Sequence, residues 1–131
     1  MYLLTIIFII VYVSSASGST FSGLFEKDAR HGHGILIHAL GKYVGDFLND
    51  AKEGEGTLIF NDASSYNGNF QKNKFHGTGT LCTKDGSIYV GNWYNGLKSG
   101  QGCETLPDGR YVLALICLES IVSQHPLIHC L

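Results

Sequence analysis

The chain has 131 residues, of which 44% are hydrophobic and 15% charged, and its nine Lys or Arg against eleven Asp or Glu give a formal net charge of −2. This balance excludes the strongly basic surface that holds nucleic acid through its phosphates, so no nucleic-acid partner is expected. The four cysteines lack the close paired spacing of metal sites and are interpreted as free thiols.

The first predicted element is an apolar segment within residues 1–17. It contains no Lys, Arg, Asp or Glu, and small residues follow it at positions 14–18. An apolar run of about a dozen residues with small residues behind it is typical of a secretory signal peptide cleaved after Ala16, and it is short for a membrane span of about 20 residues. The missing basic residue at its start argues against secretion. A signal peptide or interfacial anchor is preferred, and a β-strand that caps the next element is the alternative.

Residues 21–110 repeat every 22 or 23 positions. Each unit has an aromatic residue, a glycine two positions later and a second aromatic two positions after that, and a Gly-x-Gly pair begins seven positions beyond. The first three positions are Phe21/Gly23/Phe25, Tyr43/Gly45/Phe47, Tyr66/Gly68/Phe70 and Tyr89/Gly91/Trp93, and the glycine pairs are Gly32/Gly34, Gly54/Gly56, Gly77/Gly79 and Gly100/Gly102. The units are assigned to residues 21–42, 43–65, 66–88 and 89–110.

The spacing within a unit indicates β-structure, because its aromatic residues and glycines fall at alternate positions. A short polar link such as residues 48–53 separates two strands, and a turn such as residues 61–63 ends the unit, so each unit is predicted to be a β-hairpin. The glycines are expected to leave room for aromatic rings. The predicted fold is all-β, a single-layer, twisted antiparallel sheet of about eight strands built from stacked hairpins.

These units resemble the MORN repeat, named for membrane occupation and recognition nexus. The run Tyr66-Asn-Gly-Asn-Phe-Gln-Lys-Asn-Lys-Phe-His-Gly-Thr-Gly-Thr-Leu81 carries the family's Y-x-G-x-F and H-G-x-G-T-L patterns. The resemblance implies an adaptor in cytoskeletal, ciliary or membrane-associated complexes. It also favours a location inside the cell, with the secretory pathway as the alternative if residues 1–16 are a cleaved signal peptide.

The remaining tail covers residues 111–131. A fifth unit is expected to start at Tyr111 and to fail there, because Leu113 replaces the glycine and Leu115 the second aromatic. The apolar run that follows is predicted to form a capping strand and a helix that shield the last sheet edge before Pro126. The alternative is a poorly folded tail from a truncated product.

The aromatic residues of the later units are the first candidate binding site. Such rings are enriched at interface hot spots, and a partner helix or peptide along the sheet would bury them. For Tyr66 and Phe70, in the middle of the array, a role as intramolecular core is the preferred interpretation. The predicted protein-binding residues are Tyr43, Phe47, Tyr66, Phe70, Tyr89 and Trp93. The open sheet edges offer a further use in self-association.

Four basic residues at similar link positions form the alternative site. Arg30, Lys52, Lys74 and Lys98 are predicted to align along one rim of the sheet, where anionic lipid would bind. Because the acidic residues Asp28, Asp50 and Glu53 share that rim, the expected net attraction is weak.

The sequence contains no convincing catalytic set. His31 and His76 recur before the first paired glycine, but Glu53 and Ser99 replace them in the other units. The Gly-x-Gly pairs open strands with no helix behind them to bind an anion. The chain is therefore predicted to be no enzyme, with no catalytic residue, metal or cofactor. A regulatory fragment of a larger enzyme remains an alternative.

Overall fold

A computed structural model describes residues 9–116 and 128–130 of the chain. Within these residues, eleven strands form one antiparallel sheet in which spatial order follows chain order. The predicted all-β, single-sheet fold of stacked hairpins is confirmed, with β2 to β9 supplied by the repeats. The strands are β1 Ile9–Ser14, β2 Thr20–Glu26, β3 Ala29–His38, β4 Gly41–Leu48, β5 Ala51–Phe60, β6 Ser65–Gln71, β7 Lys74–Cys82, β8 Ile88–Tyr94, β9 Leu97–Thr105, β10 Tyr111–Ile116 and β11 Ile128–Cys130.

The turn inside each repeat has only two residues. In the second unit these are Asn49 and Asp50, with φ angles of 47° and 73°. Two successive left-handed residues are typical of a type I′ hairpin, whose twist matches that of the flanking strands. The polar link predicted over residues 48–53 is therefore too long, since residues 51–53 belong to β5. The equivalent turns are Lys27/Asp28, Lys72/Asn73 and Asn95/Gly96.

Longer turns join most neighbouring units. In the turn after β5, the Ala63 N–H donates to the Phe60 carbonyl at 3.1 Å, and Ala63 has φ of 72°. Gly86 and Gly109 occupy the same position after β7 and β9, with φ of 96° and 88°. This is a type I turn followed by one left-handed residue, a usual three-residue hairpin loop. Only the β3–β4 turn, at residues 39–40, is shorter among those joining the repeats.

Glycines line up across the sheet in an unbroken row, in which each glycine pairs with the glycine of the next strand. The row comprises Gly23, Gly34, Gly45, Gly56, Gly68, Gly79, Gly91 and Gly102. A Cβ added at Gly79 would lie 2.2 Å from the Tyr66 hydroxyl oxygen, and one at Gly56 would lie 2.4 Å from that of Tyr43. The expectation that glycines make room for rings is confirmed.

The core consists almost entirely of rings on one side of the sheet, called the aromatic face. Tyr66 contacts Phe70 of its own unit edge-on, with ring centroids 5.2 Å apart, and Trp93 of the next unit at 5.4 Å. Tyr43 and Phe70 make the same link one unit earlier at 5.1 Å. Edge-to-face pairs of this kind are favourable and join the units into one network. The buried core residues are Phe21, Tyr43, Phe47, Leu58, Tyr66, Phe70, Tyr89 and Trp93.

The register corrects the expected start of a fifth unit. Glu104 of β9 pairs with Val112, and Gly102 pairs with Ala114. Val112 therefore takes the position of the first aromatic, and Ala114 that of the glycine. Tyr111 falls on the other side of the strand, where it is 66% exposed. The cause is the β9–β10 turn, which has the same geometry as the turn after β7.

The described part of the apolar segment 1–17 begins at residue 9. Its residues 9–14 form β1, which pairs with β2. Cleavage or anchoring of this segment stays a prediction. Among the described residues, no helix is long and apolar enough to span a bilayer. At the other end, β10 covers the edge of β9 as a capping strand, whereas the predicted helix falls largely on residues 117–127, outside the described residues.

Candidate functional site

The two faces of the sheet differ in how much they expose. The side opposite the rings, called the open face, carries apolar residues such as Ile37 and Val90, which are 48% and 52% exposed. A shallow groove of 420 Å³ crosses this face from β5 to β8 and is lined by Asn67, Thr80 and Asn92. Its lining is mostly Asn, Thr and Gly, with one carboxylate from Glu55, so the groove has little charge to select a ligand.

The six rings predicted to bind a partner lie together, but they lie in the core. Their exposed fractions are between 0% and 6%. Rings buried this deeply present almost no surface, so a partner on this face would first meet the side chains that lie over them. A direct role in binding stays a prediction for Tyr43, Phe47, Tyr66, Phe70, Tyr89 and Trp93.

The side chains over the rings repeat at the unit spacing. Each lies five positions after the second aromatic of its unit, on the second strand of the hairpin, and together they form the outer column: Arg30, Lys52, Phe75 and Lys98. The register pairs them across the hairpin with Phe25, Phe47, Phe70 and Trp93. Because both members of a cross-strand pair face the same side, the whole column lies on the aromatic face.

The outer column packs directly on the core. The Lys52 ammonium lies 5.4 Å from the centre of the Tyr43 ring, and the Lys98 ammonium lies 4.5 Å from that of Tyr89. Phe75 stacks on Tyr66 with centroids 3.7 Å apart and planes 8° apart. Cations over ring faces are stabilised by the ring quadrupole.

The predicted basic rim is wrong about Lys74. Lys74 precedes Phe75 by one residue and pairs with Gln71. Its side chain is therefore on the opposite face of β7 from Phe75, and it is exposed. Since strand side chains alternate, a shift of one residue moves a side chain to the other face. Arg30, Lys52 and Lys98 do share one face, but Phe75 interrupts them. Lipid binding by these residues stays a prediction.

Two of the three column cations already have carboxylate partners. The Arg30 Nε atom donates to Asp50 at 2.9 Å, and the Arg30 backbone N–H donates to the same oxygen at 2.9 Å. These contacts lower the pKa of Asp50. The Lys98 ammonium lies 3.2 Å from Glu104, which stands where the other units have leucine. The pair explains how a half-buried position tolerates this charge.

Lys52 differs from both. It is half-buried, and none of the carboxylates in the described residues forms an ion pair with its ammonium group. Burial, and secondly the nearby Arg30 cation, lower the pKa of Lys52. Lys52 is thus a partly desolvated cation beside another cation.

The recurrent position before the first paired glycine has a structural use. Glu53 accepts the backbone N–H of Lys72 at 2.9 Å, and the His76 ring accepts that of Asn95 at 3.4 Å. Each acceptor therefore binds the turn of the following unit. Within the described residues, no three His, Cys, Asp or Glu side chains are placed to hold a metal ion.

The fold and this column define a repeat module in which similar hairpins stack into one sheet and present one side chain per unit over a shared core. The MORN repeat family model matches residues 21–39, 43–65, 66–88 and 89–109, so the chain belongs to the MORN repeat family. Repeats of this family are generally protein- or lipid-binding modules rather than catalytic ones. No curated protein matches the chain significantly.

Proposed function

We propose that this chain is a non-enzymatic scaffold that docks a helix or peptide of a protein partner on its aromatic face. The adaptor would serve a cytoskeletal, ciliary or membrane-associated complex, as the family resemblance implies. The observation that carries the proposal is the outer column, which repeats over the rings at the unit spacing. A regular column suits a regular partner segment laid across the strands.

The packing beneath the column supports this role. Rings from successive units lock against one another, and the hydrogen bonds from Glu53 and His76 fix each unit to the next turn. A face that is already ordered loses little conformational entropy on binding. More of the free energy of the contacts with the partner therefore remains as net binding affinity.

The charges favour a protein over an anionic membrane. Asp50 forms an ion pair with Arg30, and Glu104 forms one with Lys98. The third position of the outer column holds Phe75 instead of a cation. Each unopposed basic residue near an anionic surface contributes only about 1 kcal/mol, so Lys52 alone gives a weak attraction. A protein segment can instead match each column position separately.

Affinity capture with the full chain tests this function. The double variant Lys52→Glu/Phe75→Ala changes the outer column, and Lys42→Glu on the open face is the matched control. We expect mass spectrometry to detect proteins that bind the wild type and Lys42→Glu but are lost with the double variant. Thermal melting by circular dichroism checks that both variants fold. Identical capture by all three proteins, or none by the wild type, would contradict the proposal.

A further inference from the structure

The two middle positions of the outer column make different demands on a partner. Lys52 is a half-buried cation for which no described carboxylate supplies an ion pair. Phe75, one unit later, is a half-buried ring stacked on Tyr66. A segment that covers both must bring an anion to the first and apolar surface to the second, because an unpaired buried charge is costly.

The distance between these positions follows from the sheet. Lys52 lies on β5 and Phe75 on β7, which are two strands apart at the same place in their hairpins. Neighbouring strands are about 4.8 Å apart, so one unit advances roughly 10 Å. Seven residues of an α-helix rise about 10.5 Å and return to nearly the same side of the helix. The unit spacing of the sheet and a seven-residue helical spacing therefore match.

We infer that the partner segment is an amphipathic α-helix running across the strands, with a carboxylate on Lys52 and, seven residues along, a large apolar side chain on Phe75. This inference rests on the proposed function. A helix is favoured over an extended segment because strands already use their hydrogen bonds within the sheet. An extended segment lying on a sheet face would leave its own N–H and C=O groups unpaired, whereas a helix satisfies them internally.

The flanking column positions are consistent with one acidic residue at the centre of the contact. Arg30 and Lys98 are held by Asp50 and Glu104, so a partner needs no anion above them. An anionic membrane would bring negative charge to all four positions at once. It would meet the carboxylates of Asp50 and Glu104 and place headgroups on the Phe75 ring.

Peptide selection on the purified full chain tests this inference. The probe is a phage library of helix-forming 21-residue peptides with several randomised positions, selected on wild type, Lys52→Glu and the matched control Lys74→Glu. We expect wild type and Lys74→Glu to enrich peptides with Asp or Glu seven residues from a large apolar residue. Lys52→Glu should enrich Lys or Arg at the acidic position.

Fluorescence anisotropy of the enriched peptides gives the quantitative result. Loss of one charge-assisted contact should weaken binding about tenfold or more in Lys52→Glu, with little change in Lys74→Glu. Lys52→Met, which keeps the apolar stem, serves as a second variant if Lys52→Glu fails to fold, and it should also weaken binding.

Three results would overturn the inference. Enriched peptides that lack the acidic and apolar pair, or bind both Lys52 variants as well as the wild type, would refute the helix while leaving the scaffold intact. No enrichment on the wild type would count against the proposed scaffold as well. Cosedimentation with phosphatidylserine vesicles that is lost in Lys52→Glu, with no peptide enriched, would assign the column to lipid.

Discussion

The aromatic face and the open face are built from alternate residues of the same strands, yet among the described residues only the aromatic face is packed. Tyr43 and Tyr66 have no exposed surface, whereas Ile37 and Val90 on the open face are about half exposed. The difference comes from glycine. Where a cross-strand row lacks side chains, rings lie on the backbone and against one another, so within residues 9–116 one sheet buries a core without a second layer.

The largest expected effect compares a ring with an open-face residue. Phe70→Ala removes a buried ring that contacts Tyr43 and Tyr66, and we expect a loss of about 4 kcal/mol in the free energy of unfolding. Ile59→Ala, at a position 46% exposed, should cost less than about 1 kcal/mol. Urea unfolding followed by circular dichroism measures both. Similar losses would show that the two faces contribute alike.

The second comparison separates two reasons for glycine at a position: lack of space for a side chain, and a left-handed backbone angle. Gly79→Ala places a methyl group against Tyr66 and should cost about 3 kcal/mol. Gly96→Ala, in a turn with φ of 86° and no atom near the added methyl, should cost about 1 kcal/mol through backbone strain alone. Equal losses in urea unfolding would mean that contact with the ring is unimportant.

A smaller effect isolates the polar end of one ring. The Tyr66 hydroxyl donates to the Asn69 carbonyl at 2.9 Å, so Tyr66→Phe should cost about 1 kcal/mol at neutral pH. Burial raises the pKa of Tyr66 from 10.0 to about 12. Because the folded state holds this proton more tightly, stability is kept below pH 10 and lost as pH rises from 10 to 12. Tyr66→Phe should reduce that loss, and an unchanged pH profile would contradict the assignment.

The smallest effect lies in a turn that belongs to neither face. Ala63 adopts φ of 72° where the equivalent turns have Gly86 and Gly109. Ala63→Gly should therefore raise stability by about 0.5 kcal/mol, the relief of left-handed strain less the entropy cost of glycine. The reverse change at the equivalent position, Gly86→Ala, should lower it by a similar amount, about 0.5 kcal/mol, in the same urea assay. A loss of stability in Ala63→Gly would show that the alanine methyl makes a useful contact.

The fold was predictable because the repeat contains its own geometry. Aromatic residues and glycines at alternate positions identify strands, and a period of 22 or 23 residues indicates that every unit stacks in the same way. The end of the array was harder to place. As an aromatic residue, Tyr111 resembles the first position of a further unit. The turn at residues 106–110 sets the register, however, and it pairs Val112 with Glu104.

The candidate site was only partly predictable. Positive charge alone points to Lys74 in the third unit. The residue five positions after the second aromatic is Phe75, and the same spacing in every unit gives the whole outer column. The core position predicted for Tyr66 and Phe70 is confirmed, since both are buried. Burial of the other four rings was not predicted, because it depends on contacts between the first aromatic of one unit and the second aromatic of the next. Those contacts exist only once the units stack.

The row of paired glycines ends at Gly102, beside β10. Ala114 follows Gly102 in the row, and Val112 stands where the next ring would lie. The methyl group that would obstruct a ring thus appears in the same strand that has lost the ring. One strand that lacks both the glycine and the ring therefore interrupts the aromatic face, while β11 continues the sheet beyond it. A duplicated unit inserted before β10 would carry both its glycines and its rings, and so would extend the aromatic face.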